Sequence, residues 1–181
     1  MATPGILLLT GSPRIGKTTV IRRVDDQLRE RRLGGFYTEE IREGGQRRGF
    51  RLVGFDGTEK MIADVGFSKE HCVGKYGVDV RAIDEAVSLL ALDSESELYL
   101  VDEIGKMECL SGRFINAMRA LLTGPKPVVA TIALRGRGFI EEVKTAEGVT
   151  NWEVTHTNRD NLPTDVLLWL NDVAQAQDAR N

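Results

Sequence analysis

Residues 11–18 constrain the fold more than any other segment: they read Gly11-Ser12-Pro13-Arg14-Ile15-Gly16-Lys17-Thr18 and follow the apolar run Ile6-Leu7-Leu8-Leu9. They match the pattern G-x-x-x-x-G-K-[ST], in which a glycine-containing loop joins a strand to a helix. The apolar run predicts a buried strand over 6–10. Apolar residues then recur every three or four positions, which predicts an amphipathic helix over 17–32. A strand before the loop and a helix after it favour a phosphate-binding loop over an ordinary turn.

Each residue type in this loop has a mechanical role in holding a polyphosphate. Gly11 and Gly16 permit turn conformations and close backbone approach, so that backbone N–H groups can point at the phosphates. Lys17 brings an ammonium to the β- and γ-phosphates, and the hydroxyl of Thr18 can ligate Mg²⁺. We therefore predict nucleotide binding by the whole segment, namely Gly11, Ser12, Pro13, Arg14, Ile15, Gly16, Lys17, Thr18 and Thr19.

The rest of the chain alternates between strand and helix patterns. Short β segments separated by Gly44-Gly45 and Asp56-Gly57 predict an antiparallel β excursion over 35–65. After it, we predict helices over 81–92, 112–122, 139–144 and 163–176, and strands over 98–101, 128–132 and 152–154. Strands that alternate with helices imply right-handed crossovers. The predicted fold class is α/β, with a mainly parallel central sheet and an antiparallel β-hairpin insertion.

A second acidic site is predicted at the end of the strand over 98–101. Asp102 follows four mostly apolar residues and therefore reaches the carboxyl edge of the sheet, where ligands bind in open α/β folds. A P-loop protein needs such a carboxylate for its metal, so we predict that Thr18 and Asp102 hold Mg²⁺. Glu103 directly follows and can polarise a water for attack on the γ-phosphorus.

Length and composition fit one globular domain. The 181 residues carry 24 basic and 27 acidic side chains, a net charge of −3, and 41% are hydrophobic. We predict a single domain over 1–176 and a polar, frayed tail over 177–181. This balance excludes fibrous and wholly disordered proteins and argues against general nucleic-acid binding. No apolar run approaches the length of a membrane helix, and Cys72 and Cys109 have no paired spacing, so we expect a cytoplasmic protein.

Several further segments occur in a specific order after the loop. They are Gly35-Phe36-Tyr37-Thr38-Glu39-Glu40-Ile41-Arg42, Arg48-Gly49-Phe50, Gly74-Lys75-Tyr76, Val101-Asp102-Glu103-Ile104-Gly105-Lys106-Met107-Glu108, Val129-Ala130-Thr131-Ile132 and Asn158-Arg159-Asp160. Together with the loop they resemble the small P-loop nucleoside-triphosphatases whose animal member is called cancer-related nucleoside-triphosphatase. The resemblance covers about residues 5–170. It implies a three-layer, RecA-like P-loop fold and Mg²⁺-dependent hydrolysis of nucleoside 5′-triphosphates to diphosphate and phosphate, with broad base preference.

Phosphoryl transfer also needs cations beside the γ-phosphate, because charge builds on its oxygens. Lys17 supplies one. Lys106, close after the acidic pair, and Arg137, after the strand over 128–132, are our preferred further candidates over Arg14 and Arg135. A solvated surface cation is the alternative for each.

The segment around Arg159 precedes the last helix, where contacts to a base are common in such folds. The guanidinium of Arg159 could stack on a purine, although helix capping nearby with an exposed arginine is the alternative. One residue separates Asn158 from Asp160, unlike the N-K-x-D spacing of guanine-specific GTPases, so strict guanine selectivity is not expected.

Two other functions stay open at this point. A nucleotide or nucleoside kinase would pass the γ-phosphate to an acceptor. A slow nucleotide switch would bind RNA or protein, and its support is the basic hairpin, which we define as Arg42, Arg47, Arg48 and Arg51. Nucleoside triphosphates, including ATP, GTP, CTP, UTP and deoxy forms, are the predicted partners of a chain that we expect to be monomeric.

Overall fold

The structure, a computed structural model, describes residues 5–92 and 95–179. Helices and strands alternate along most of this chain, with single 3-10 turns at Val87–Leu90 and Glu108–Leu110. In chain order the elements are β1 (Ile6–Thr10), α1 (Lys17–Gln27), β2 (Leu33–Glu43), β3 (Gln46–Gly54), β4 (Glu59–Asp64), β5 (Cys72–Val73), β6 (Tyr76–Val78), α2 (Val80–Ala86), β7 (Leu98–Ile104), α3 (Gly112–Thr123), β8 (Val128–Ile132), α4 (Phe139–Lys144), β9 (Val149–Glu153) and α5 (Leu162–Asp178).

One sheet runs through the molecule in the order β5-β6-β4-β3-β2-β7-β8-β1-β9. The strands from β2 to β9 in this order pair in parallel, whereas β3, β4, β5 and β6 extend the sheet with antiparallel pairs. Parallel strands place their carboxyl ends at one edge, so the loops after β1, β7 and β8 lie together there.

Helices cover both faces of the parallel part of the sheet. Side chains of α1 and α5 form one core with alternate strand residues such as Leu7 and Leu9. Side chains of α2, α3 and α4 form the other core with Ile6 and Leu8. Because β1 is buried on both faces, its sequence is a continuous apolar run rather than an alternating one. The predicted three-layer arrangement is confirmed.

The bounds of β1, β8 and α4 are those predicted, whereas α1 ends at Gln27 rather than at residue 32. The N–H of Leu28 bonds to the carbonyl of Asp25 and closes the last turn. Arg31 and Arg32 then form ion pairs with Glu97 and Glu95 ahead of β7. Local periodicity could not predict this early end, because the chain must turn back there to start β2.

The prediction that the segment from residue 35 belongs wholly to an antiparallel excursion is wrong. The first residues of β2, Leu33 to Phe36, pair in parallel with β7, and only the later part forms the hairpin with β3. The predicted turns at Gly44-Gly45 and Asp56-Gly57 are confirmed: these three glycines have φ values of 57°, 78° and 88°. The short strands β5 and β6 were not predicted.

The last helix begins at Leu162, with Pro163 in its first turn, and continues to Asp178. Gln177 therefore lies in the helix rather than in the predicted frayed tail, and its side chain donates to the carbonyl of Pro125 at 3.2 Å. Residues 180 and 181 of that predicted tail lie outside the described residues. None of the helices within 5–92 and 95–179 is long and apolar enough to cross a membrane.

Candidate active site

The predicted phosphate-binding loop connects β1 to α1 and is built mainly from its own backbone. Ile15 is buried and anchors the loop, and its N–H bonds to the carbonyl of Ser12 at 3.2 Å. Gly11 has φ 153°, and a Cβ there would lie 2.8 Å from the carbonyl oxygen of Val154, so no side chain fits. Gly16, with φ 115°, precedes the first residue of α1. The loop thus leads directly into the positive end of the α1 dipole.

Lys17 lies across this loop. Its Nζ donates to the carbonyl of Gly11 at 3.0 Å and lies 3.7 Å from the Oε2 of Glu103. The ammonium therefore lies between the backbone of the loop and the acidic end of β7. This contact joins two segments that are more than 80 positions apart in the sequence.

Asp102 is buried at the carboxyl end of β7, with 1% of its surface exposed. Thr18 Oγ1 donates to its Oδ2 at 2.8 Å. Thr38 of β2 donates to the same oxygen from Oγ1 at 3.2 Å and from its backbone N–H at 3.4 Å. Thr131 of β8 donates to Oδ1 at 2.6 Å. The hydroxyl and the carboxylate that were predicted to hold a cation are thus in direct contact.

Glu103 is partly exposed beside Lys17, with a third of its side-chain surface accessible. Burial raises the pKa of its carboxyl above the ordinary value, the ammonium of Lys17 opposes this shift, and the charge of Asp102 adds to it. A raised pKa strengthens a carboxylate as a base, provided that it stays ionised.

Glu108 is a further acid at this edge, and it is almost fully buried at 4% exposure. Burial, together with the negative charges of Glu103 and Asp102, raises the pKa of Glu108 to about 8. At neutral pH this carboxyl is therefore mostly uncharged. Its Oε2 and the Oε1 of Glu103 both lie close to the backbone of Gly105.

Arg159 contacts the phosphate-binding loop from the other side. Its Nη1 donates to the carbonyl of Ile15 at 3.3 Å, and its Cδ lies 3.6 Å from where a Cβ of Gly16 would be. Asp160, the next residue, forms an ion pair with Arg23 of α1 at 3.4 Å. The segment before α5 is thus held against the loop and the first helix.

The other predicted residues lie in exposed positions. Ser12, Pro13 and Arg14 form the exposed tip of the loop, and Thr19 is exposed in the first turn of α1. Lys106 is exposed in the turn after β7, and Arg137 is exposed between β8 and α4. Both lie at the carboxyl edge of the sheet. Neither takes part in the contacts between Lys17 and Glu103 or between Thr18 and Asp102.

The arginines of the basic hairpin are paired with acids. Arg42 and Arg47 both contact Glu40, Arg48 contacts Glu43 and Asp64, and Arg51 contacts Glu39 and Glu59. Their positive charge is therefore largely balanced within the hairpin itself.

Three residues of the site were not predicted, namely Thr38, Thr131 and Glu108. Thr131 offered a signal, because it is the only hydroxyl in an otherwise apolar strand and a buried polar group needs a partner. Thr38 and Glu108 belong to the segments that carried the resemblance, but no spacing rule assigns them a role.

A backbone cradle at the carboxyl edge of a parallel sheet, with acids on the next strand but one, defines the class of P-loop nucleoside-triphosphate-binding proteins. A family model described as NTPase matches residues 6–167. The nucleoside-triphosphatase THEP1 of Thermotoga petrophila is 40% identical over 164 residues, which cover 89% of this chain and 90% of that protein. The chain therefore belongs to the NTPase family, which confirms the resemblance seen in the sequence.

Two solved structures have the same fold. The crystal structure of THEP1 from Aquifex aeolicus has a TM-score of 0.82 and 34% identity, covering 91% of this chain and 98% of that one. The solution structure of a human cancer-related nucleoside triphosphatase has a TM-score of 0.78 and 34% identity, covering 91% of this chain and 96% of that one. The P-loop NTPase fold predicted from the sequence is confirmed.

Proposed function

We propose that this chain hydrolyses nucleoside 5′-triphosphates to nucleoside diphosphate and phosphate, with a divalent cation and with broad base preference. The observation that carries the proposal is the convergence of two distant segments: Thr18 lies 2.8 Å from Asp102, and Lys17 lies 3.7 Å from Glu103. The names of the relatives, which all refer to nucleoside-triphosphatase activity, favour the same reaction.

In this proposal the segment 11–19 binds the triphosphate. Its backbone N–H groups and the N-terminus of α1 attract the phosphate oxygens, and Lys17 adds a positive charge. Lys17 now donates to the carbonyl of Gly11 and lies beside Glu103, so its ammonium is already held at the mouth of the loop.

The donors at Thr18 and Asp102 fit a magnesium ion. A hydroxyl and a carboxylate are hard oxygen ligands, and Mg²⁺ is typically held in proteins by one or two such groups together with substrate phosphates. Thr18 would be a direct ligand and Asp102 a ligand through water. When bound, the ion neutralises charge on the β- and γ-phosphates.

Glu103 is the proposed general base. It orients a water, whose oxygen forms a bond to the γ-phosphorus while the bond from that phosphorus to the β–γ bridging oxygen breaks. The proton of the water passes to the carboxylate of Glu103 and then to solvent. Burial raises the pKa of this carboxyl, and the ammonium of Lys17, 3.7 Å from its Oε2, opposes that shift and so favours the ionised form that a base needs.

Lys106 and Arg137 are the proposed additional cations for the charge that develops on the γ-phosphoryl group. Each follows a strand, β7 or β8, whose carboxyl end faces the loop. Both are exposed, so either must approach the phosphate when substrate binds.

Arg159 is the proposed contact for the base. Its guanidinium is fixed to the loop through the carbonyl of Ile15, which places a flat cation beside the start of α1. Stacking on such a surface does not discriminate strongly among bases, which supports broad preference over strict guanine selectivity.

A single domain over 1–176 is proposed, acting as a monomer in the cytoplasm. Each hydrophobic core contains side chains of β1, near the start of the sequence, and of a helix late in the sequence, α4 or α5. This arrangement supports a single cooperative folding unit. Cys72 is a free, exposed thiol and Cys109 is also free, which supports a reducing compartment.

A nucleotide kinase and a nucleotide switch are not favoured. The relatives are named for hydrolysis, and the basic hairpin that would bind RNA has its arginines paired with acids. Hydrolysis is therefore retained as the single proposal.

The decisive experiment measures phosphate release from ATP, GTP, CTP, UTP and deoxynucleotides, with Mg²⁺ or with EDTA and without any acceptor. The wild-type chain should release phosphate from all of them and only with the divalent cation. Glu103→Gln, which keeps size and removes the base, should bind nucleotide normally but lose about 10²-fold or more in kcat.

The matched control is Glu153→Gln on the edge strand β9, which should leave kcat unchanged. Nucleoside diphosphate formation that requires an acceptor, with a phosphorylated acceptor rather than free phosphate as the product, would replace the proposal with a kinase. An unchanged kcat in Glu103→Gln would remove Glu103 from the reaction.

A further inference from the structure

Asp102 accepts more hydrogen bonds than its proposed cation role explains. Its Oδ2 receives the hydroxyl of Thr18, the hydroxyl of Thr38 and the N–H of Thr38, at 2.8, 3.2 and 3.4 Å. Its Oδ1 receives the hydroxyl of Thr131 at 2.6 Å. Each carboxylate oxygen offers about two lone-pair positions, so these donors fill those of Oδ2 and one of the two on Oδ1.

The two threonines outside the phosphate-binding loop come from the strands on either side of β7. β2 pairs with β7 on one side and β8 pairs with it on the other. Thr38 lies two residues after Phe36, which is opposite Val101, and Thr131 directly follows Ala130, which is also opposite Val101. The carboxylate of Asp102 is therefore held from both neighbouring strands.

Thr38 also lies where β2 changes partner. Its parallel pairing with β7 is recorded as far as Phe36, while Thr38 itself pairs with Leu52 in the antiparallel hairpin. Thr38 is half-buried at this position. Its hydroxyl and its N–H both donate to Oδ2 of Asp102, the oxygen that also accepts the hydroxyl of Thr18.

We propose that Thr38 is a positioning residue that fixes the carboxylate of Asp102 for cation binding, with Thr131 holding the opposite oxygen. The inference rests on the proposed function, because it assumes that Asp102 helps to hold a divalent cation. Thr18 has to offer its oxygen to that cation, whereas Thr38 and Thr131 can keep their bonds to Asp102 throughout. Thr38 acts through Asp102 and contacts neither substrate nor reacting atoms.

Loss of the Thr38 hydroxyl should therefore weaken binding of the cation rather than binding of the phosphates. Removing the hydroxyl of Thr38 leaves one donor fewer on a buried anion and weakens the hold on Oδ2, while Thr18, Thr131 and the N–H of residue 38 still donate to the carboxylate. A hydrogen bond to a charged group typically contributes about 1.5–3 kcal/mol, and 1.4 kcal/mol corresponds to a tenfold change in an equilibrium constant. The hydroxyl of Thr38 donates to Asp102 and not to the backbone of residues 11–16.

The test uses Thr38→Val, which keeps the shape, and Thr38→Ser, which keeps the hydroxyl. Binding of a fluorescent, non-hydrolysable triphosphate analogue is measured in EDTA and then as a function of Mg²⁺ concentration. Thr38→Val should bind the analogue in EDTA within about twofold of wild type, but should need about tenfold more Mg²⁺ to reach the tight-binding state. Thr38→Ser should restore the Mg²⁺ requirement to within about threefold of wild type.

The matched control is Thr150→Val on the edge strand β9, which should change neither measurement. The inference is overturned if Thr38→Val needs no more Mg²⁺ than Thr150→Val, or if its affinity in EDTA falls by the same factor as its Mg²⁺ response. Should Thr38→Val fail to fold, Thr38→Ala deletes the same hydroxyl and carries the same expectation. Failure of the proposed function is seen separately, as a wild-type chain that releases no phosphate.

Discussion

Gly105 lies between the carboxyl groups of Glu103 and Glu108. A Cβ at this position would be 2.7 Å from the Oε2 of Glu108 and 2.9 Å from the Oε1 of Glu103. Both are the far ends of flexible side chains, so a methyl group would displace them rather than disrupt the backbone. The glycine thus keeps space open for the proposed base.

Gly105→Ala should therefore lower kcat by about tenfold to 100-fold while leaving nucleotide affinity nearly unchanged, because a shift of about 1 Å is enough to misplace a catalytic group. Steady-state kinetics and binding of a non-hydrolysable analogue check this. Gly112→Ala at the start of α3 is the control, since a Cβ there meets nothing within 4 Å. Equal kcat values for the two variants would show that Glu103 does not need this space.

Some individual residues of the site can be predicted from the sequence, and others cannot. Lys17, Thr18, Asp102 and Glu103 belong to patterns whose spacing follows from their chemistry, and the structure brings all four together. Thr38 and Thr131 were not predicted because each is a single threonine whose partner lies far away in the sequence. Their role depends on strand order, which no local pattern contains.

At the scale of single elements, predictions succeeded where the signal is local. β1 and β8 are almost wholly apolar, and α4 has its own short periodicity, so their bounds could be predicted from the sequence. The parallel pairing of β2 with β7 could not be predicted, because it joins residues more than 60 positions apart. The strands β5 and β6 are too short to produce a pattern.

The helix α3 begins at a cap that also joins it to α2. The buried Oγ of Ser111 accepts the N–H of Phe114 at 2.9 Å and donates to Asp84 of α2 at 2.5 Å. Phe114 in turn packs on Phe36 of β2, with ring centroids 6.3 Å apart. One side chain thus fixes a helix that supports the strand carrying Thr38.

Ser111→Ala should lower the free energy of unfolding by about 1–3 kcal/mol, because it removes the cap and leaves Asp84 without this donor. Urea denaturation at pH 7 measures the loss. Ser88→Ala is the control: its hydroxyl bonds to a carbonyl three residues earlier in an exposed turn, and a change within about 0.5 kcal/mol is expected. A loss no larger than the control would show that the cap is replaceable.

Across the whole molecule, the sheet combines a parallel part with an antiparallel extension. The parallel part carries the phosphate-binding loop and both acids, and β2 connects it to the extension. The extension contacts the site through Thr38, which donates two hydrogen bonds to Asp102. The proposed cation site therefore lies where the parallel part of the sheet meets the antiparallel extension.

Burying acids at this junction has a cost to global stability that depends on pH. Glu108 has a folded pKa of about 8, raised by burial and by Glu103, against an ordinary value of 4.5. Between these values the unfolded chain loses this proton and the folded chain keeps it. The contribution of protonated Glu108 to the free energy of unfolding is therefore fully present below about pH 4.5 and is lost as the pH rises through 8.

Glu108→Gln cannot ionise, so its free energy of unfolding should rise relative to wild type by up to about 1.4 kcal/mol for each pH unit between pH 5 and 8, and level off above that. Urea denaturation at half-unit steps of pH measures this difference. Glu142→Gln is the control: this exposed acid has a pKa lowered by Arg119, so its difference from wild type should be flat over the same range. A flat difference for Glu108→Gln as well would mean that Glu108 is ionised in the folded chain, and that Glu103 has a second negative charge beside it at neutral pH.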